Sequence, residues 1–416
     1  MARTKAVLGG GSRLSDHLAV AYLALNCPLG RVHEILKELG LQGQRRRDLP
    51  AEVVFFYVLA LCLYRTVSYE EVLRIVVEGL RAVYGDAIVD VVPTKGAISR
   101  ARARLGSLPL EKMYAEQIQA TGGEDKSGVL YRGLRVMAID GSTLDVADEK
   151  ANAQYYGYPG ASRGSAAYPQ LRFVALAECA THVMFGAAMD AYRVSEQALA
   201  KDVLQRAGSG MLVLADRGFA VYPMWTAAGK QGCKRLFRIR DNQVLPVIRE
   251  LPDGSYISEI YPDLKTRRRA AKGKRVDGVE RIRVVEYEMI HEGAAAKTYR
   301  LMTDLMDEAE APAQELASLY HRRWRAEMAL DELKVHLNAN MSLRSKTPDL
   351  VRQEFYALLF VHGAIRKLMV DAASASTHAA EDLSFTAAFR IIRRRLPGSV
   401  AFPPLSVQCL VGKPAE

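Results

Sequence analysis

The chain has little cysteine and tryptophan and no long apolar run. Its five cysteines (Cys27, Cys62, Cys179, Cys233 and Cys409) are scattered, odd in number, and never form a Cys-x-x-Cys pair. That pattern argues against a disulfide framework and against a zinc site of the usual spacing; buried thiols in a reducing compartment are expected instead. The eight histidines show no His-x-x-x-His or His/Cys grouping, which again gives no sign of zinc. The opening "MARTKAVLGGGSR" lacks an apolar stretch, so no signal peptide is read there. Its glycines lack a following Lys-Ser/Thr, so they are not a phosphate loop. The longest apolar run, Val53 to Tyr64, is too short to cross a bilayer and reads as a buried core helix. A cytoplasmic protein with no membrane partner is expected.

What is present in excess is positive charge. The formal net charge is +10 and the pI is near 9.3, which favours a polyanionic partner but does not bear on the fold. Half of the residues are hydrophobic, and 416 residues suffice for two or three domains with sizeable cores.

The texture changes along the chain. Residues 15 to 120 read as helical. Ser15, Asp16, Asp48, Ser68 and Thr94 stand as caps ahead of periodic apolar segments, and Gly85 and Gly106 as stops. From about 126 short apolar runs alternate with a helix over "SEQALAKDVLQRAG", so an α/β layered unit is expected. Residues 244–307 read as a β-rich insertion, with strands over "VLPVIREL", "SYISEI", "ERIRVVEYEMI" and "TYRLMTDL" and a basic loop "LKTRRRAAKGKRVDG". Helix resumes at 308, and Thr347-Pro348 opens another. The expected organisation is a helical, DNA-binding region over 1–125, a core in two parts over 126–243 and 308–372, the insertion between them, and a tail over 373–416.

Two apolar runs end in aspartate: "RVMAIDG" at Asp140 and "MLVLADRGF" at Asp216. In an open α/β sheet, ligands gather beyond the carboxyl ends of the strands. Two carboxylates there would suit Mg2+, which binds through one or two carboxylates and keeps water and phosphate as its other ligands. An Asp after a strand is also a common turn residue, and these residues alone leave both readings open.

The segment "YHRRWRAEMALDELK" concentrates charge at residues 320–334. On an α-helix at about 100° per residue, Tyr320, Arg323, Glu327 and Lys334 fall at roughly 0°, 300°, 340° and 320°, along one stripe. Asp331 and Trp324 flank it, while Arg322, Arg325 and Glu332 are left for an ordinary solvated face. Glu327 could then be a third carboxylate, Arg323 a bidentate phosphate grip, Lys334 a point charge on phosphate, and Tyr320 a hydrogen-bond donor to it. A helix that is merely solvated remains the alternative.

The spacing Tyr-x2-Arg-x3-Glu-x6-Lys, carried here by Tyr320, Arg323, Glu327 and Lys334, resembles the signature of DDE transposases of the insertion-sequence-4 type. "AIDGSTLDVAD" looks like the segment with that family's first catalytic Asp and "LADRGF" like that with its second. The resemblance spans roughly residues 15 to 370. It implies an RNase H-like core interrupted by a β-rich insertion and preceded by a helical domain. It further implies that Asp140, Asp216 and Glu327 hold Mg2+, with Mn2+ a substitute. Terminal inverted repeats and target DNA would be the substrates, cut and joined by a synaptic homodimer. Several relatives form a hairpin and stack a flipped base on an aromatic residue of the insertion. Here the insertion has no Trp, since the chain has only Trp225 and Trp324, and Tyr299 is the nearest substitute. A nuclease without strand transfer and a DNA-binding repressor without catalysis are the rival readings.

Other basic clusters are Arg45 to Arg47, the Arg100, Arg102 and Arg104 set on a possible recognition helix, and Lys265 to Arg275 with Arg267, Arg268 and Arg269. Each is either a phosphate contact or a solvated face. Asp145 and Asp148 are set aside as ligands because Asp140 ends the apolar run, and His321 is read as structural.

Overall fold

The computed structural model describes residues 22–42, 49–84, 94–119, 128–161, 164–289, 297–376 and 378–394. Arg45 to Arg47, Asp48, Gly85, Cys409 and the chain beyond 394 lie outside these residues, as do Ser15 and Asp16.

Helices α1 (Leu29–Glu38), α2 (Ala51–Leu63), α3 (Tyr69–Tyr84), α4 (Lys95–Leu105) and α5 (Leu108–Gln117) come first. The apolar run at 53–64 does form a core helix, buried on every side. Thr94 caps α4 by accepting from the Ala97 N–H, and Gly106 ends it with φ of 66°. Arg102 of that helix turns inward, donating to Gln353 and Ser345, so the expected three-arginine face reduces to the exposed Arg100 and Arg104.

The central sheet has ten strands. Its first part is β1 (Leu134–Asp145), β2 (Gln170–Glu178), β3 (Met184–Ala191), β4 (Met211–Ala215) and β5 (Lys234–Arg238). Then follow β6 (Arg249–Glu250), β7 (Tyr256–Ile260), β8 (Glu280–Met289) and β9 (Lys297–Thr303). The order is β3-β2-β1-β4-β5-β9-β8-β7-β6, with the short strand Leu130–Tyr131 pairing beside β1. Strands β1, β4 and β5 run parallel and the remaining pairs are antiparallel. The strands between 244 and 307 continue this same sheet, because Leu301 to Thr303 of β9 pair with Leu236 to Arg238 of β5.

Two expectations in that segment change. "VLPVIREL" supplies only the two-residue β6. The basic loop contains a helix, α9 (Leu264–Ala270), nucleated by Asp263, whose carboxylate accepts from the Thr266 N–H at 2.6 Å.

Helices α6 (Lys150–Tyr156), α7 (Glu196–Leu204) and α8 (Tyr222–Lys230) link the strands, and Ser195 caps α7 as its sequence implies. The late helices are α10 (Ala313–Tyr320), α11 (Trp324–Asp331), α12 (Pro348–Ser374) and α13 (Phe385–Arg394). Helix α12 is buried along most of its length and packs against α2 and α5, joining the early helices to the sheet layer. Thr347 makes no side-chain cap there; Pro348 at the first turn opens the helix instead. A buried bond set, Arg65 to Glu354 and Arg102 to Gln353, closes the same junction. No described helix is long and apolar enough to cross a membrane.

Candidate functional site

Asp140 and Asp216 are placed by strand register. The parallel ladder between β1 and β4 runs from Arg135 opposite Met211 to Ile139 opposite Ala215. The next residue in each segment is the aspartate, Asp140 within β1 and Asp216 just past β4, so the two stand side by side where the ladder stops. One expectation is corrected here. Strand β1 does not end at Asp140 but continues to Asp145, paired on its other flank with β2. The apolar run stops at Asp140 because β4 leaves the sheet there and exposes that flank, not because the strand turns.

Each aspartate is oriented by backbone. Asp140 accepts from the Gly141 N–H at 2.8 Å, and Asp216 from the Gly218 N–H at 2.6 Å. A Cβ at residue 218 would lie 3.0 Å from the Asp216 carboxylate, which explains glycine there.

The helical segment from 313 to 337 supplies the rest, with a varying pitch. After α10 comes a 3-10 turn, His321–Arg323, then α11, then a π-helical turn, Glu332–Leu337. The stripe expected from a uniform 100° step is therefore redistributed. Arg323 is buried and reaches Asp140 at 3.1 Å and Glu327 at 2.7 Å. Lys334 donates to Ser142 at 3.0 Å. Ser142 lies two residues beyond Asp140 on β1, hence on the same face of the sheet. Sequence reasoning missed it by ending the strand too early; the Asp-x-Ser alternation was the available signal.

Tyr320 sits at the end of α10, against the end of β4. It is 5% exposed, and its hydroxyl donates to the Ala215 carbonyl at 3.4 Å. That contact braces the end of β4 next to Asp216. Asp331 is exposed and outside the cluster. Asp145 accepts from Gln170 and Asp148 from Tyr158, away from the two strand-tip aspartates. Of the residues assigned to a solvated face, Arg322 donates to the Gly128 carbonyl and Arg325 pairs with Glu381. Glu332 is buried among His182, His362 and Arg366: partners distant in sequence remove it from solvent.

Tyr299 stacks on Tyr287, its cross-strand neighbour, with centroids 5.5 Å apart and planes 20° from parallel. Arg238 lies over the Tyr299 ring at 4.3 Å, and His321 meets the edge of Tyr287. His321 follows Tyr320 in the chain, so its ring contact ties the aromatic pair to the helical segment that carries Arg323 and Glu327. Arg268 and Arg269 of α9 are exposed, while Arg267 is half-buried. Four cysteines, Cys27, Cys62, Cys179 and Cys233, are free and buried.

Electrostatics tie the acids together. Burial pushes the Asp140 carboxyl up to about 6; Arg323 and the Gly141 N–H pull against this, while the charges of Asp216 and Glu327 add to it. Among the described residues, no group of three or more His, Cys, Asp or Glu side chains stands close enough to share a metal ion. Arg323 bridges Asp140 and Glu327. Oxygen donors carrying mutual repulsion fit a hard dication in their chemistry.

Residues 131–363 match the family described as the transposase DDE domain, more than half of the chain. The chain belongs to the insertion-sequence-4 type of DDE transposases. Residues 17–115 match the insertion element 4 transposase N-terminal family. The chain is 26% identical over 343 residues to the transposase InsG for insertion sequence element IS4 of Escherichia coli (strain K12), covering 82% of this chain and 74% of that one. It is 29% identical over 192 residues to the putative transposase InsZ of the same organism, covering 46% and 61%. A cryo-EM structure of piggyBac transposase in a synaptic complex with hairpin DNA superposes with a TM-score of 0.46 at 12% identity, over 91% of this chain and 79% of that one. Members of the DDE transposase family are metal-dependent enzymes that cut and transfer DNA, and DNA transposition is the function of this protein.

Proposed function

We propose that this transposase works by cut and paste, with Asp140, Asp216 and Glu327 holding Mg2+, or Mn2+ in its place, at the transposon end. The observation that carries this reading is the adjacency of Asp140 and Asp216 one residue past their last parallel pair, with Glu327 tied to the same point through Arg323. Metal bound there would supply activation of the attacking oxygen and stabilisation of the leaving one in an in-line displacement.

The side chains have separate tasks. Arg323 takes the end phosphate with the fork it now gives to Asp140 and Glu327. Lys334 adds a second positive charge from the Ser142 side. Tyr320 keeps the Asp216 strand tip in place and acts on phosphate through that support. Arg267, Arg268 and Arg269 line a flanking DNA path on α9, and Tyr299, backed by Tyr287 and Arg238, is the surface on which a displaced base stacks.

The parallel strands β1, β4 and β5 with antiparallel β2 and β3 on one side support an RNase H-like core in two parts, 126–243 and 308–372. The segment 244–307 is then its insertion, 1–125 the DNA-binding helical region and 373–416 a tail. The substrates are terminal inverted repeats and target DNA, brought together by a homodimer in the cytoplasm.

The test uses purified protein, Mg2+ and DNA bearing the element's own ends. Joined products are expected. Cleavage without joining would mean a nuclease, and binding alone a repressor. Cutting by Glu327→Gln at the parent's rate would overturn the metal assignment.

A further inference from the structure

A second charged cluster sits behind the candidate site, and the functions assigned above leave it idle. Glu332 begins the π turn and is 6% exposed. Arg366 donates to it twice, from Nε at 2.7 Å and from Nη2. His362 Nε2 lies 3.1 Å from one carboxylate oxygen and His182 Nδ1 3.0 Å from the other. His362 and Arg366 are one turn apart on α12, while His182 sits in the β2–β3 turn with φ of 58°. Two separate parts of the chain, the β2–β3 turn and α12, thus close on the one carboxylate.

Burial pulls both imidazoles down, His182 to about 2 and His362 to about 3, so both are neutral at pH 7. It also lowers Arg366 to about 9, which leaves a guanidinium cation opposite the carboxylate. His182 Nδ1 lies 2.6 Å from Arg366 as well, and a neutral ring nitrogen can serve only one of these two neighbours. His182 Nε2 and His362 Nδ1 are buried without a partner. A cluster with orphaned atoms is a poor device for stability alone, since apolar side chains of similar volume often do as well.

Its location suggests another use. In a regular α-helix, seven residues make nearly two turns, so Glu327 and Lys334 would point within about 20° of each other. Lys334 lies inside the π turn, three residues past the end of the α-helix that carries Glu327, and the wider pitch there changes that angle. Such turns are rare and cluster at functional sites. We propose that Glu332 is a positioning residue: its buried bonds to Arg366, His362 and His182 hold the wide turn that sets Lys334 on Ser142 while Glu327 stays with Arg323 beside Asp140. This rests on the reading of Glu327 and Lys334 as working residues.

The test compares a Glu332→Met/Arg366→Met double variant with the parent. Removing both charges avoids stranding either one. The double variant is expected to melt cooperatively and bind end DNA within threefold of the parent. Its single-turnover cleavage at saturating DNA and Mg2+ should fall at least tenfold. A folded double variant that cleaves within threefold of the parent overturns the proposal. Should it not fold, Glu332→Gln and His362→Phe read the same rate; failure of all three to fold would make the cluster a stability element only and overturn the proposal as well.

Lys334→Ala is measured alongside. If it cleaves like the parent, the reading of Lys334 fails and takes this inference with it. If it is impaired while folded Glu332 variants are not, the inference alone fails. Positioning also predicts that the double variant loses little further rate in a Lys334→Ala background, whereas an independent structural effect would multiply.

Discussion

Nη1 of Arg323 lies 3.1 Å from the carboxylate of Asp140, although 183 residues of chain separate them. The other arm of the same guanidinium holds Glu327. Under the metal site proposed above, a cation that bridges Asp140 and Glu327 would have to yield for a divalent metal to bind there.

Arg323→Ala should therefore separate metal binding from catalysis. Without the competing guanidinium, Mg2+ should stabilise the DNA-free protein at lower concentration, read as the midpoint of a thermal-shift titration. Cleavage should nevertheless fall by about ten- to a hundredfold, the size of one lost charge-assisted bond to phosphate at about 1.5–3 kcal/mol. An unchanged or higher Mg2+ midpoint would mean that Arg323 does not compete for the acids.

The raised Asp140 carboxyl makes stability fall as pH rises. Its ordinary value lies near 4, and the folded protein holds the proton up to about 6, chiefly through burial. Between these values the folded state binds more protons than the unfolded one, so ionisation on the way up destabilises the fold. In a chelator, Asp140→Asn should melt higher than the parent at pH 8. That advantage should shrink as pH falls to 4. A melting temperature below the parent's at pH 8 would contradict it.

The arginines divide by burial. Loss of the exposed Arg268 and Arg269 should leave the melting temperature within about a degree. The slope of log affinity for DNA against log salt should decrease by about 1 for each phosphate contact removed. Arg102→Ala should do the reverse, melting earlier with an unchanged slope, because Arg102 is bonded to Gln353 and Ser345 inside the protein. Identical salt slopes for the parent and the Arg268/Arg269 variant would remove α9 from the DNA path.

Arg65→Met should be strongly destabilising. Arg65 and Glu354 form a buried pair between the early helices and α12, with side chains 4% and 1% exposed. Removing one partner of such a pair costs about 3–5 kcal/mol. Chemical denaturation should show the shift, while cleavage per folded molecule stays near the parent's. A loss below about 1 kcal/mol would mean that the junction does not depend on this pair.

Much of the local structure was legible in the chain. Thr94 and Gly106 bracket α4, Ser195 opens α7, and the all-apolar run at 53–64 makes a core helix, because caps and uniform hydrophobicity act over a few residues. The alignment of Asp140 with Asp216 was less so. Each run ended visibly in aspartate, but the one-to-one register that sets them side by side belongs to the pairing of two strands some seventy residues apart.

The residues read too simply share one feature. Glu332, Arg102 and Tyr320 carry polar groups that a local pattern assigns to solvent, phosphate or a working surface. All three are buried because partners distant in sequence satisfy them: Arg366 and two histidines, Gln353 and Ser345, and the Ala215 carbonyl. Similarly, β1 runs on past Asp140 because β2 continues to pair with it, which the apolar pattern of β1 does not record.

By itself, then, the sequence determined the caps at Thr94 and Ser195, the core helix at 53–64, and the order and spacing of Asp140, Asp216, Tyr320, Arg323, Glu327 and Lys334. Backbone propensity, capping and hydrophobic period are local, and spacing is written in the chain. Only the tertiary structure decided which of those charges face each other and which are buried. Desolvation and ion pairing depend on distance in space, and here the decisive partners lie up to 289 residues apart.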